Sequence, residues 1–370
     1  MPQGTMLSFE EMVSMKLAEL FGSFGYKKFK MSKFEEYDLY IENKSFLKSE
    51  NIIAFNDPTG KLLALKPDVT LSIAKNTAEQ ENEPRKLFYS ENVYRVSGNM
   101  HEFKEIPQIG LEFIGDVDTY SLCEVITLAK LALCEISNSY VLDISHMGLL
   151  IGLLESTGLS YDAREKITDF VGTKNSHEIR RVLCENGVSA GLTEKIATLA
   201  SLYGSIDKII PLAEKLVVNE TTEAAVNELK EICHCLKQSG QADNVNIDFS
   251  VVSDISYYNG ITFRGFVENV PGCILSGGRY DNLLKKLGKN AGAVGFAVYM
   301  DLLSYLGREQ IRYDADILLV YSENDSPEKV AELATSLRAQ GNRVFVSSVP
   351  CSNIKYKKLL TVGREVEEEV

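Results

Sequence analysis

The sequence predicts an α+β fold in which an antiparallel sheet flanked by helices is interrupted by a helical insert and followed by a small C-terminal α/β unit. Three observations carry this. Short strand-like runs bounded by turn residues gather before residue 147 and resume after 242. Between 148 and 241 the apolar spacing is helical, with little strand-like alternation. From about 311 strand and helix signals alternate. The domains expected are therefore 1–147 with 242–310 as the core, 148–241 as the insert and 311–370 as the terminal unit.

The chain opens with an amphipathic helix, since Phe9, Met12, Val13, Leu17, Leu20, Phe21 and Phe24 share helical spacing. Ser8 and Glu11 form a capping-box pattern and Gly25 a stop. IIAF (52–55), KLLAL (61–65), KLFYSENVYR (86–95) and IGLEFIG (109–115) read as strands of one antiparallel sheet. A helix over 120–137 and a strand at VLDIS (141–145) precede the insert. After the insert, VNIDFSVVSD and ISYYNGITFRGFV read as strands, with Asn259-Gly260 as a two-residue hairpin turn. CILSGGRYDNLLKKLG and AGAVGFAVYMDLLSYLG then supply a strand, a Gly-rich turn, a helix, a small-residue strand and a last helix. The terminal unit has DILLVYSE, a helix opened by Ser326-Pro327 and closed by Gly341, RVFVSSV, YKKLLTVG and an acidic end EVEEE.

Composition excludes several function classes. Lys plus Arg total 39 against 52 for Asp plus Glu, a net charge of −13, and such a field repels nucleic acid, whose affinity rests mostly on phosphate neutralisation. No window reaches the eighteen or so uninterrupted apolar residues of a membrane span, and MPQGTMLSFEEM lacks the features of a secretory signal, so a cytoplasmic location is expected. Seven scattered cysteines fit reduced thiols rather than disulfides. Cys233-His234-Cys235 lacks a second ligand pair at zinc-like spacing, so no metal and no cofactor is expected.

Several segments in the right order resemble the class II aminoacyl-tRNA synthetase fold, and histidyl-tRNA synthetase in particular, over roughly residues 8–305. They are FGYKKFKMSKFEEYDLY (24–40), AFNDPTGKLLALKPDVT (54–70), LFYSENVYR with QIGLEFIG (87–115), SYYNGITF (256–263) and SGGRYDNLLKKLG (276–288). Fold likeness alone does not carry activity. Amino-acid activation builds negative charge on ATP phosphates, and the synthetase pattern meets it with arginines. Arg95 matches the motif 2 arginine, but Ser97 stands where an acidic residue is expected. Leu302 takes the place of the motif 3 arginine, and losing one preorganised donor costs about 10²–10³-fold in rate. Ser253 replaces the arginine of the histidine-specific segment and Ser256 its aspartate, while Ser32 replaces the motif 1 proline that helps set the dimer.

What remains suits a small amino acid. The resemblance implies that Asp68 and Thr70 face a ligand ammonium, that Gln108, Glu112, Tyr257 and Tyr258 line the pocket, and that Arg95 meets the carboxylate. No catalytic residue is assigned. Asp68 also fits a helix N-cap for VTLSIAKN, Arg279 fits either an anion site or a core brace, and Gly277-Gly278 fits a close backbone approach. Glu112 lies in an apolar strand, where an unpaired carboxylate is costly. Strand alternation lets only one of Tyr257 and Tyr258 face a site.

Synthetase likeness without the activating arginines, together with a shortened acidic C-terminus, resembles the regulatory subunits of the short-form ATP phosphoribosyltransferase. That family implies a non-catalytic chain that self-associates as a dimer, joins a separate short catalytic subunit in a hetero-octamer, activates it, and relays inhibition by histidine. Two rival readings are an active histidyl-tRNA synthetase and a tRNA-sensing synthetase-like module.

Overall fold

In the computed structural model the described residues are 7–43, 52–77, 83–96, 102–252, 257–306, 313–362 and 364–369. They form two compact units, a large one over Glu10–Leu306 and a small one whose described elements lie beyond 312. Helix α1 (Phe9–Ser23) and β1 (Lys27–Lys28) lead to β2 (Phe34–Glu36), α2 (Tyr37–Glu42), β3 (Ala54–Asn56), β4 (Leu62–Leu65) and α3 (Val69–Asn76). Two long strands, β5 (Arg85–Val96) and β6 (Phe103–Gly115), precede α4 (Thr119–Ile136) and β7 (Tyr140–His146). The helical stretch holds α5 (Met147–Glu155), α6 (Tyr161–Gly172), α7 (Ser176–Glu185), α8 (Ala190–Leu199), the short β8 (Tyr203–Ser205), α9 (Ile206–Glu214) and α10 (Glu220–Gln238). Then come β9 (Val245–Asp248), β10 (Ile261–Val267), β11 (Leu275–Arg279), α11 (Asp281–Lys286), β12 (Gly292–Tyr299) and a 3₁₀ turn over Met300–Leu306. No described helix is long and apolar enough to cross a membrane.

The main sheet runs β1-β5-β6-β12-β11-β10-β7-β9-β8. Its middle is antiparallel, but β1 pairs with β5 and β7 with β9 in parallel. The expectation that 52–55 and 61–65 belong to this sheet is corrected. Strands β3 and β4 join β2 in a separate three-stranded sheet. The physical reason lies in the Asp-Pro-Thr-Gly turn. Asp57 Oδ1 accepts from Thr59 N at 2.8 Å and Lys61 N at 2.9 Å, and Gly60 takes φ +87°, so the strands fold back on each other.

One face of the main sheet is the apolar core. Val13, Leu17 and Phe21 of α1 are buried on it, and Phe21 packs edge-on to Phe296 at 5.8 Å. Helix α4 buries Leu122, Val125, Ile126, Ala129 and Leu133, and Leu133 presses so close to β10 that a Cβ on Gly265 would stand 2.7 Å from its Cδ1. Period-two alternation then dictates what the opposite face presents: Tyr89 and Glu91 of β5, Gln108, Gly110 and Glu112 of β6, Gly295, Ala297 and Tyr299 of β12, Ser276 and Gly278 of β11, and Arg264 of β10.

The small unit has β13 (Ala315–Val320), α12 (Pro327–Ala339), β14 (Val344–Ser347), β15 (Tyr356–Thr361) and β16 (Arg364–Glu369), ordered β14-β13-β15-β16. Ser326 caps α12 by accepting from Lys329 N, with Pro327 in the first turn. The acidic end, read as a charged run, is an edge strand antiparallel to β15.

Candidate functional site

All seven residues singled out for ligand binding line one cavity on the polar face of the main sheet: Asp68, Thr70, Arg95, Gln108, Glu112, Tyr257 and Tyr258. The two readings of Asp68 turn out to be compatible. Its Oδ1 caps α3 by accepting from Leu71 N at 2.9 Å, while the residue also walls the cavity.

Glu112 is 1% exposed at the cavity floor. Thr70 Oγ1 donates to its Oε1 at 2.8 Å and Tyr280 donates its hydroxyl to Oε2. No ion pair to Glu112 is found among the described residues. Burial therefore pushes this carboxyl up to about 8, against the pull of the two hydroxyls and with a further push from Asp68. Burial also raises the phenols of Tyr89, Tyr257, Tyr258 and Tyr280 well above their ordinary range, so they act as neutral donors. Arg95 is half-buried and donates Nε to Pro67 O at 3.2 Å, with no carboxylate partner among the described residues. Acid thus gathers on the floor and at the α3 end, and a guanidinium stands on the β5 side. That arrangement complements a zwitterion.

Two expectations around the tyrosines are corrected. Asn259-Gly260 is not a hairpin turn: Tyr257 to Gly260 carry no strand, and β10 pairs with β7 and β11 instead. Tyr257 and Tyr258 consequently escape strand alternation and both line the cavity, their rings 4.5 Å apart and edge-on. The cavity they help to line has a volume of about 30 Å³. Asn259 serves as a strut. Its N donates to Arg279 O at 3.1 Å, its Nδ2 to Asp281 Oδ2 at 3.1 Å, and its Oδ1 accepts from Asp281 N at 2.9 Å.

Arg279 is a brace rather than an anion site. Its Nε meets Asp281 Oδ2 at 2.9 Å and its Nη1 meets Glu228 Oε1 on α10 at 3.2 Å. Glu228 Oε2 lies 2.6 Å from His146 Nε2, and His146 Nδ1 accepts from Gly148 N at 3.1 Å, which assigns the ring proton to Nε2. The glycine reading holds: a Cβ on Gly277 would come within 2.4 Å of Gly295 O, and one on Gly278 within 2.7 Å of Ile261 O.

Sequence reasoning missed Tyr89, Ser276, Tyr280 and Tyr299, which also line the cavity. Counting back by twos from Arg95, or outward from Gly295 and Gly278, would have found three of them. Leu302 lies half-buried in the 3₁₀ turn and Ser32 precedes β2, whereas Ser97, Ser253 and Ser256 lie outside the described residues. Cys233 is buried on α10 with its thiol pushed up to about 12 by burial, and the described residues hold no group of three metal-ligating side chains.

The family model described as histidyl-tRNA synthetase matches residues 6–303. An ATP phosphoribosyltransferase regulatory subunit from Clostridium kluyveri is 32% identical over 340 residues, covering 88% of this chain and 85% of that one. The crystal structure of an ATP phosphoribosyltransferase regulatory subunit/histidyl-tRNA synthetase from Bacillus halodurans superposes with a TM-score of 0.83 at 26% identity, over 97% of this chain and 96% of the other. A chain of the ATP phosphoribosyl transferase (HisG:HisZ) complex from Thermotoga maritima shares the fold, with a TM-score of 0.62 at 19% identity over 80% and 98% of the two chains.

Proposed function

Because this chain belongs to the histidyl-tRNA synthetase-like family of ATP phosphoribosyltransferase regulatory subunits, we propose that it activates a separate short catalytic subunit and relays inhibition by histidine. The partner chain joins ATP and phosphoribosyl pyrophosphate to give phosphoribosyl-ATP and pyrophosphate, the first step of histidine biosynthesis. The present chain contributes control. It works as a dimer within a cytoplasmic hetero-octamer of four regulatory and four catalytic chains.

The observation that carries this reading is the cavity, whose lining suits an amino acid while two of the arginines that the synthetase pattern sets against phosphate are replaced. Asp68 and Thr70 take the histidine ammonium, Glu112 with Tyr257 and Tyr258 takes the imidazole side, Gln108 lines the wall, and Arg95 takes the carboxylate. Leu302 supplies neither charge nor donor to a triphosphate. Histidine entry displaces the rings of Tyr257 and Tyr258, and inhibition follows if that displaced arrangement is favoured in only one state of the assembly.

The deciding experiment is transferase activity of a purified short catalytic chain, alone, with this protein, and with this protein plus histidine. Stimulation that histidine reverses supports the proposal; no stimulation rejects it. Retention of Arg95 keeps one rival in view, an active histidyl-tRNA synthetase, and histidine-dependent ATP–pyrophosphate exchange by the isolated protein would favour it.

A further inference from the structure

Strand β10 turns Thr262, Arg264 and Phe266 to the cavity side of the sheet. Arg264 stands directly opposite Ser276, which lines the cavity, and on its other flank opposite Asp143. It is half-buried, and its Nη2 donates to Val252 O at 2.8 Å. No described carboxylate comes within ion-pair distance of it. Asp143 is no exception: burial and Asp248 push its carboxyl up to about 6, and the cation that relieves it is Lys174.

Val252 immediately precedes Ser253, the position at which the synthetase resemblance calls for an arginine. The Arg264 guanidinium is tied to the carbonyl of Val252 on the face of the sheet that carries the cavity, across from the cavity-lining Ser276. With one donor used on Val252, its Nε and Nη1 have no partner among the described residues, and a partly desolvated guanidinium gains most from a bidentate carboxylate. We propose that Arg264 is the second cation of the site, holding the carboxylate of the bound amino acid from the β10 side as Arg95 does from β5. This rests on the cavity being a histidine site.

The test compares histidine with histidinol, which keeps the ammonium and imidazole and replaces the carboxylate by a hydroxymethyl group. Calorimetric titrations are run on wild type, Arg264→Met and Arg264→Lys. Loss of a charge-assisted pair lowers histidine affinity roughly 10–100-fold in Arg264→Met, leaves histidinol affinity unchanged, and is partly restored in Arg264→Lys. Should Arg264→Met fail to fold, Arg264→Gln retains a donor for Val252 O and gives the same contrast. Equal losses for both ligands would make Arg264 a structural brace, and unchanged histidine affinity would remove it from the site; either result overturns the assignment alone. Failure of wild type to bind histidine overturns the cavity reading and this assignment together.

Discussion

The Glu112 carboxylate occupies the space that a side chain at position 295 would need: a Cβ built on Gly295 would stand 1.8 Å from Glu112 Oε2 and 2.4 Å from Leu111 O. The acid is packed flat against the backbone of the neighbouring strand, so the glycine sets where the cavity floor lies. Gly295→Ala must push Glu112 off Thr70 and Tyr280 or part β6 from β12. Overpacking of this kind costs roughly 1–3 kcal/mol. Urea unfolding should show that loss together with abolished histidine binding, and an alanine variant that binds normally would show that the floor can yield.

Glu112 makes stability pH-dependent in a definite direction. Its carboxyl, near 4.5 in an unfolded chain, is held up at about 8 in the native one, so between these values the folded protein keeps a proton that the unfolded chain releases. That contribution is fully present below 4.5 and is lost as pH rises through 8, at up to about 1.4 kcal/mol per pH unit. Glu112→Gln removes it. Unfolding free energies from denaturant titrations at pH 5 and pH 8 should show the variant gaining on wild type at the higher pH by a few kcal/mol, to order of magnitude. Parallel pH slopes in the two proteins would mean that Glu112 titrates elsewhere.

Asp68 does two jobs that one pair of variants separates. Asn caps a helix about as well as Asp, so Asp68→Asn should keep thermal stability while histidine inhibition weakens at least about tenfold through loss of charge. Asp68→Ala should lose inhibition and also about 1 kcal/mol of stability, with assembly on the catalytic chain retained. Unchanged inhibition in both would take Asp68 out of the ligand site.

Isolated protein supplied with ATP, histidine and labelled pyrophosphate should give no exchange above background. Leu302→Arg alone should not restore it, because Ser97 and Ser253 still stand where the synthetase pattern has an acidic residue and an arginine. Exchange by the wild type would contradict a purely regulatory role.

Much of the polar face was legible because alternation along β5 and β6 is local: Gln108 and Glu112 fall on one side by counting. The Asp68 cap was legible for the same reason, since it needs only the next three residues. What could not be read depends on contacts far apart in sequence. Tyr280 reaches Glu112 across 168 residues, and β4 pairs with β2 as well as β3, in a sheet apart from the main one. Asn259-Gly260 carries a hairpin signature, yet its amide side chain is taken by Asp281, a tertiary partner that overrides the turn preference.

That amide has a mechanical consequence. Asn259 adjoins the tyrosine wall and grips Asp281; Asp281 grips Arg279, Arg279 grips Glu228, and Glu228 grips His146 at the start of α5. Side-chain bonds alone therefore tie the tyrosine wall to α10 and to the start of α5, a load path that does not follow the course of the chain.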